Sequence, residues 1–472
     1  MKRTVAALCL AVACLATAER AMAQGLDRSK RPVADVLAPF AFPEMKTRRL
    51  PNGLLVVVIE NHSLPLVAVR AVVNADSLND PKGKEGLYSL TSSMLAEGTT
   101  TRSAEHIASE IATLGNAVTP FRFTTIPENF EASLELMADM LARPTFPDSA
   151  LARLAVTLAA AKQRELQGPA TIPNRVFLAQ LYGPDHPIAR AASATEASIK
   201  SLTRDDVVQF HSTFFLPNWT TVVVVGDVRA ADAFALVAKT FGSWHSRELP
   251  VLQNPPHRLA PTTINLVDRP GAQQTYAFVG SLGPTRNSSD FAALEAMAPI
   301  LGSSVSSRLL TNLRERHAFI YAGSPFGVVW RRSGFPSSLG GSAAVATAKT
   351  DSALMEWLNE LRGMSRRAPT SDEMTLARAW LVEALPAQVE TIDLIANRVT
   401  SMLQAGAPLD FYNSYVRRIE AVTAADVGAA AGKFIDMSHL VIVVAGDRTI
   451  IEPLLRAANI APLVIVENAG KP

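Results

Sequence analysis

The pattern of apolar and polar residues along the chain predicts short buried strands separated by amphipathic helices. Runs rich in β-branched residues predict strands at 54–59, 221–225, 263–267 and 441–444. The runs at 221–225 and 441–444 each follow an amphipathic helix and end at a Gly-Asp pair. Strands and helices in this arrangement predict an α+β fold in which helices pack on sheets.

The same pattern occurs twice. Residues 202–227 and 422–447 align without gaps at a constant offset of 220. Their sequences are LTRDDVVQFHSTFFLPNWTTVVVVGD and VTAADVGAAAGKFIDMSHLVIVVAGD. Both copies open with a T-x-x-D pattern, which is typical of a capped helix start. The repeat predicts two homologous domains of about 200 residues each, with a cleft between them.

The predicted boundaries follow from composition and from the repeat. We expect a signal peptide at 1–23, an N-terminal extension at 24–45, a first domain at 46–245 and a second domain at 262–460. Residues 246–261 hold four prolines in sixteen positions, which predicts an extended linker. Residues 461–472 form a C-terminal tail.

The N-terminus has the features of a Sec signal peptide. Lys2 and Arg3 precede an apolar run at 4–18, and Ala21-Met22-Ala23 is a small-residue cleavage site. We therefore expect cleavage after Ala23 and a periplasmic protein, with lipidation at Cys14 as the alternative. The apolar run is short for a membrane span, and no later segment has about 18 uninterrupted apolar residues.

Cysteine content and charge exclude several classes of function. Both cysteines, Cys9 and Cys14, lie inside the predicted signal peptide, so the mature chain would have neither disulfides nor thiolate metal sites. The precursor has 45 Lys and Arg against 43 Asp and Glu, and removal of residues 1–23 leaves equal numbers. Such a balance gives no attraction to nucleic acid or to anionic lipid.

Five blocks resemble the pitrilysin/insulinase family of zinc peptidases (processing-peptidase-like) in the family's order. They are RRLPNGLLVVVIENHSLPLVAVRAVV (48–73), GLYSLTSSMLAEGT (86–99), LYGPDHPIAR (181–190), FFLPNWTTVVVVGDV (214–228) and LGSSVSSRLLTNLRERHAFIYAG (301–323). The resemblance implies two homologous domains in a clam-like α+β arrangement, each a mostly antiparallel sheet with helices packed on it.

The zinc motif of that family is degenerate here. Active members carry H-x-x-E-H on the helix after the opening hairpin, where the two His bind zinc and the Glu polarises water. The register of block 86–99 places Ser89, Ser92 and Ser93 at these three positions. The resemblance also implies a distal Glu near 158–161, which has no carboxylate, and Glu165 is about one turn too late. We therefore expect no metal ligands and no catalytic residues in this chain.

Two further observations address other chemistry. The eight histidines are His62, His106, His186, His211, His245, His257, His317 and His439. The closest two are twelve residues apart, so no pair has metal-binding spacing on a helix, and we expect surface or capping roles. A serine nucleophile at the three motif positions would need a nearby base, and no G-x-S-x-G pattern surrounds them.

In the second domain, Arg314 and Tyr321 match an Arg/Tyr pair seven residues apart that binds substrate in the family. A guanidinium and a phenol are suitable donors to a peptide carbonyl or a developing oxyanion. The alternative is a surface salt bridge from Arg314 to Glu315 and core packing of Tyr321. The basic pairs at 331–332 and 366–367 are interpreted as solvated faces or helix ends and not as a binding patch.

Three functions remain open from the sequence. The favoured one is the non-catalytic subunit of a periplasmic zinc peptidase heterodimer, in which a homologous subunit with an intact motif supplies the zinc and peptides are the substrates. The alternative is a stand-alone peptide-binding or scaffold protein of the cell envelope. An active zinc metallopeptidase is the third and would need ligands that the sequence does not offer.

Overall fold

A computed structural model describes residues 40–467 except residues 252, 257, 258 and 333. The predicted signal peptide, residues 24–39 of the predicted N-terminal extension and the end of the predicted tail lie outside these residues. The described chain forms two mixed β-sheets with helices packed on each, so the predicted α+β fold is confirmed. None of the described helices combines the length and apolar character that crossing a bilayer requires.

The first half contains a five-stranded sheet in the order β1-β2-β5-β3-β4. Its strands are β1 (Lys46–Arg49), β2 (Leu55–Glu60), β3 (Val67–Val73), β4 (Arg122–Thr125) and β5 (Thr220–Gly226). Its helices are α1 (Leu87–Met94), α2 (Ala104–Leu114), α3 (Phe130–Ala142), α4 (Asp148–Leu166), α5 (Thr171–Tyr182), α6 (Pro187–Ala191), α7 (Glu196–Lys200), α8 (Arg204–Phe214) and α9 (Ala230–Phe241).

The second half contains a six-stranded sheet in the order β11-β6-β10-β7-β9-β8. Its strands are β6 (Thr263–Asp268), β7 (Gln274–Leu282), β8 (Ile320–Val329), β9 (Ser338–Ala346), β10 (Val441–Gly446) and β11 (Leu463–Ile465). Its helices are α10 (Phe291–Ala298), α11 (Arg308–Leu310), α12 (Thr350–Arg366), α13 (Ser371–Arg378), α14 (Ile392–Gln404), α15 (Phe411–Ala421), α16 (Ala424–Phe434) and α17 (Arg448–Ala458).

The sequence repeat corresponds to a repeat in topology. Strand β5 runs parallel to β2 and antiparallel to β3, and β10 has the same relation to β6 and β7. The helix before each of these central strands begins with a capping box, Thr203 with Asp206 in α8 and Thr423 with Asp426 in α16. The T-x-x-D prediction is therefore confirmed in both copies. Each cap satisfies backbone N–H groups that a helix start leaves without partners.

The two halves are interlocked by an exchange of helices. Helix α5 of the first half packs on β7 and β10 of the second sheet, and α14 of the second half packs on β3 and β5 of the first. Apolar side chains on one face of the first sheet, such as Val57 and Val223, therefore belong to the same core cluster as Ile395 and Val399 of α14. Each half thus covers a sheet face of the other, and burial of these faces holds the two halves together.

Candidate functional site

The site begins with α1, the helix that carries the three motif serines. Its buried side chains are Leu87, Leu90, Thr91 and Met94, which face the core of the first half. The helix follows Gly86, whose φ of 104° lies in the left-handed region. A side chain at Gly86 would be strained, and its Cβ would come 2.9 Å from Ile199 Cγ1. Backbone conformation and close packing therefore both favour glycine at the position where α1 begins.

The motif positions lie off the core face of α1. Ser89 and Ser92 are half-buried and Ser93 is exposed. The Ser93 hydroxyl donates a hydrogen bond to the Ser89 carbonyl oxygen at 2.8 Å, one turn earlier. This local bond within the helix is common for serine in helices. The three side chains share one side of the helix, as the H-x-x-E-H spacing requires, but they present neutral hydroxyls.

These residues do not fit the zinc ion that the family resemblance implies. Zinc is usually held by imidazole, thiolate or carboxylate groups. Across the residues that the structure describes, no group of three or more His, Cys, Asp or Glu side chains could hold a metal ion. In α4, where the distal Glu is expected, Leu158 and Ala159 pack into the core of the first half. Glu165 is exposed and forms an ion pair with Lys162 at 2.7 Å.

The histidines make separate local contacts. His62 pairs with Asp227 at 2.7 Å, and His439 pairs with Asp436 at the same distance. His186 is 3% exposed and its ring nitrogen accepts a hydrogen bond from the Ile188 N–H, which caps α6. His211 lies 2.8 Å from the Leu141 carbonyl, and burial lowers its pKa to about 4, so the ring is neutral near pH 7.

A buried acidic group behind α1 was missed by sequence reasoning. Asp80 is 2% exposed, and its carboxylate accepts the Gly86 and Tyr88 N–H groups at 2.8 and 2.7 Å. Glu85 lies beside it, and Arg190 donates to the Asp80 carbonyl at 2.9 Å. Burial raises the pKa of Asp80 to about 7, against the opposing effect of the two backbone N–H groups. The turn-rich segment DPKGKEG before α1 is the signal that points to such a cap.

The basic pair at 331–332 contacts the first half, so its interpretation as solvated is wrong. The Arg332 guanidinium lies 3.5 Å from the Asp76 carboxylate and 5.1 Å from the ring centroid of Trp219. The Arg331 guanidinium lies 5.7 Å from the ring centroid of Tyr182. These rings and the carboxylate all belong to the first half. A cavity of about 470 Å³ lies at this junction, with Tyr88 of α1 in its wall.

Arg314 and Tyr321 lie near the N-terminal end of the edge strand β8. Arg314 belongs to a π-helical turn (Thr311–Arg316), and its Nε donates to Glu315 Oε1 at 2.7 Å. Tyr321 is 87% exposed, which contradicts the alternative of core packing. The surface salt bridge to Glu315 does form. Among the described hydrogen bonds, none joins Arg314 or Tyr321 to α1.

Comparisons with known proteins give a consistent assignment. Residues 55–171 match the model of the insulinase family (peptidase family M16), and residues 201–381 match the model described as the peptidase M16 inactive domain. An uncharacterized zinc protease of Mycobacterium leprae is 29% identical over 288 residues, which are 58% of this chain and 63% of that protein. An uncharacterized zinc protease of Mycobacterium tuberculosis (strain CDC 1551 / Oshkosh) is 27% identical over 416 residues, 85% and 92% of the two chains.

A solved structure confirms the fold. The crystal structure of a peptidase M16 inactive domain from Pseudomonas fluorescens superposes with a TM-score of 0.76 at 23% identity, covering 85% of this chain and 98% of that one. The two family models follow each other along the chain in the order of the two halves, and together they span more than half of it. The chain is a homologue of the zinc proteases of the M16 insulinase/pitrilysin family, with an N-terminal and a C-terminal M16 domain.

Proposed function

We propose that this protein is the non-catalytic subunit of a periplasmic zinc peptidase heterodimer and supplies Arg314 and Tyr321 to the active site of a homologous partner. The observation that carries the proposal is the contrast within α1. The helix retains a buried apolar face, while the three positions that would hold zinc and polarise water carry serine hydroxyls. The catalytic metal then has to come from another chain.

The motif serines offer no substitute chemistry. A serine hydroxyl is not a general base near neutral pH, and a serine nucleophile requires a base within hydrogen-bond reach. The Ser93 hydroxyl donates to a backbone carbonyl of its own helix instead. An active peptidase in isolation is therefore disfavoured.

Arg314 and Tyr321 are available to a second molecule. The ion pair between Arg314 and Glu315 joins side chains that are 33% and 58% exposed, and such a pair contributes about 0–1 kcal/mol. A substrate carbonyl or carboxylate can displace Glu315 at little cost. The Tyr321 hydroxyl extends from a side chain that is 87% exposed, so it can donate to an oxyanion formed on a partner's zinc.

An edge strand gives the peptide a place to bind. Strand β8 is the outer strand of the second sheet, and its residues 321–324 are exposed. Unpaired backbone groups on an edge strand can pair with an extended peptide, and such strand addition recognises the main chain rather than particular side chains. Tyr321 would then lie directly beside the bound peptide.

The test is co-purification from periplasm followed by a peptidase assay of each subunit alone and of the two together. We expect no cleavage by this chain alone, zinc only in the partner, and cleavage by the complex. Arg314→Ala in the complex should lower turnover by about tenfold to a thousandfold, the scale of losing one oxyanion donor. Tyr321→Phe removes only the hydroxyl and should act in the same direction.

Arg316→Ala is the matched control, because Arg316 is exposed in the same π-helical turn and is not part of the pair. Its turnover should equal that of the unmodified complex. Unchanged turnover with Arg314→Ala and Tyr321→Phe, and no catalytic homologue in the purified complex, would favour the stand-alone peptide-binding or scaffold protein. Stoichiometric zinc in this chain with chelator-sensitive cleavage would establish an active zinc metallopeptidase instead.

A further inference from the structure

A second cavity lies within the first half, away from the motif serines and from β8. Its volume is about 600 Å³, within the range of about 300–1,000 Å³ that is usual for sites of small ligands. Its walls come from the end of α4, the start of α5 and the segment around α7. The apolar part is formed by Leu166, Ile172 and Val176. The charged part is formed by Arg175, Glu196 and Lys200.

Arg175 is the unusual member of this cavity. Its Nη2 donates to the Ala194 carbonyl oxygen at 2.7 Å, but its Nε is buried and has no hydrogen-bond partner among the residues that the structure describes. The carboxylate whose charge acts on Arg175 is Glu165, and Glu165 is already paired with Lys162 at 2.7 Å. Burial lowers the pKa of the Arg175 guanidinium, although the group remains charged.

Arg175 is half-buried, and the loss of water around its charge is offset only by an opposite charge or by hydrogen bonds, of which the buried Nε–H has none among the described residues. The other two charged groups of the wall neutralise each other, since Lys200 Nζ lies 2.5 Å from Glu196 Oε1. The cavity therefore carries one net positive charge. One free N–H donor beside a single positive charge suits a monoanion better than a dianion such as a phosphate monoester.

We propose that this cavity binds a monocarboxylate with an apolar body. The carboxylate accepts the free Nε–H of Arg175, and the apolar body lies against Leu166, Ile172 and Val176. Two sources share this chemistry, the C-terminal carboxylate of an apolar peptide and a fatty acid. The proposal does not depend on a partner subunit or on Arg314, so its failure would leave the proposed function intact.

The test measures binding to the isolated mature chain by isothermal titration calorimetry. Decanoate and a tetrapeptide ending in leucine are the two carboxylate probes. Decan-1-ol and the C-terminal amide of the same peptide are their uncharged counterparts. We expect at least one carboxylate to bind and its uncharged counterpart to bind about tenfold or more weakly, as loss of a charge-assisted hydrogen bond implies. Binding of decanoate alone or of the peptide alone identifies the source.

Arg175→Met removes the charge from a side chain of similar length and should weaken the binding of the carboxylate probe by about tenfold or more. Arg164→Met is the control, because Arg164 is exposed on α4 and lies outside the cavity wall. If Arg175→Met does not fold, as judged by circular dichroism, Ile172→Trp fills the cavity while Arg175 stays, and it should abolish binding. No binding of either carboxylate at millimolar concentration, or equal binding to the Arg175→Met or Ile172→Trp variant, would overturn the proposal.

Discussion

Replacing Arg332 tests how the two halves are held together. Arg332 follows β8 in the second half, and its side chain is 10% exposed. Its Nη1 lies 3.5 Å from Asp76 Oδ2 and 3.3 Å from Asn79 Oδ1, and its guanidinium lies over Trp219. All three partners belong to the first half. Arg332→Met retains most of the apolar stem and removes the charge and the donors.

The expected loss can be assembled from these contacts. A hydrogen bond to a charged partner contributes about 1.5–3 kcal/mol, and a partly desolvated cation–π contact contributes about 0.5–2 kcal/mol. Asp76 is 44% exposed and regains water once Arg332 is gone, which reduces the loss. We therefore expect Arg332→Met to lower the free energy of unfolding by about 2–4 kcal/mol.

The measurement is urea unfolding of the mature protein, followed by circular dichroism and by tryptophan fluorescence. Arg366→Met is the matched control, because Arg366 belongs to the other basic pair and is exposed at the end of α12. The control should change stability by less than about 0.5 kcal/mol, as surface substitutions do. Asp76→Asn is then combined with Arg332→Met. The loss of stability in this double variant should be smaller than the sum of the losses in the two single variants, because the two residues are in contact. Equal midpoints for Arg332→Met and Arg366→Met would refute the reasoning.

Two further predictions concern the caps of helices. Burial raises the pKa of Asp80 from 3.8 to about 7, so the folded protein binds this proton more tightly than the unfolded chain. The resulting stabilisation of the folded state is fully present below about pH 4 and is lost as the pH rises through 7, and it amounts to about 4 kcal/mol at most. Asp80→Asn should abolish this pH dependence, which is measured as the difference between the urea midpoints at about pH 5 and about pH 8. Thr203→Ala and Thr423→Ala should each cost about 1 kcal/mol in the same assay, because each removes the hydroxyl of an equivalent capping box. A midpoint unchanged by either threonine variant would contradict the equivalence of the two caps.

The features that the sequence predicts correctly are those set by neighbouring residues. The runs at 221–225 and 441–444 lie inside β5 and β10, and both T-x-x-D patterns form capping boxes. The constant spacing between the two copies of the repeat then indicates that both sheets have the same central topology. Equal patterns of buried residues need equivalent neighbouring strands and helices to bury them. The same local reasoning places the three motif serines on a helix.

The features that it does not predict depend on long-range contacts. The exchange of α5 and α14 between the halves has no local pattern, because an amphipathic helix shows which face is apolar but not which sheet receives it. The same limit explains the error at 331–332. Two adjacent arginines at a strand end are usually solvated. Here their guanidinium groups contact Trp219 and Tyr182 of the first half, and the local sequence does not show that these rings lie nearby.

Within α1 the requirements of folding and of metal binding fall on different residues. Leu87, Leu90 and Met94 bury their side chains in the core, and Asp80 caps the helix from behind. The motif positions are off this face, and Ser93 is exposed. Hydroxyls at these positions therefore leave the packing of α1 intact and create no buried charge, whereas a loss of Leu90 would open a cavity in the core. A chain with this division can keep the whole M16 fold, its edge strand and its exposed Tyr321 whatever side chains occupy the three motif positions.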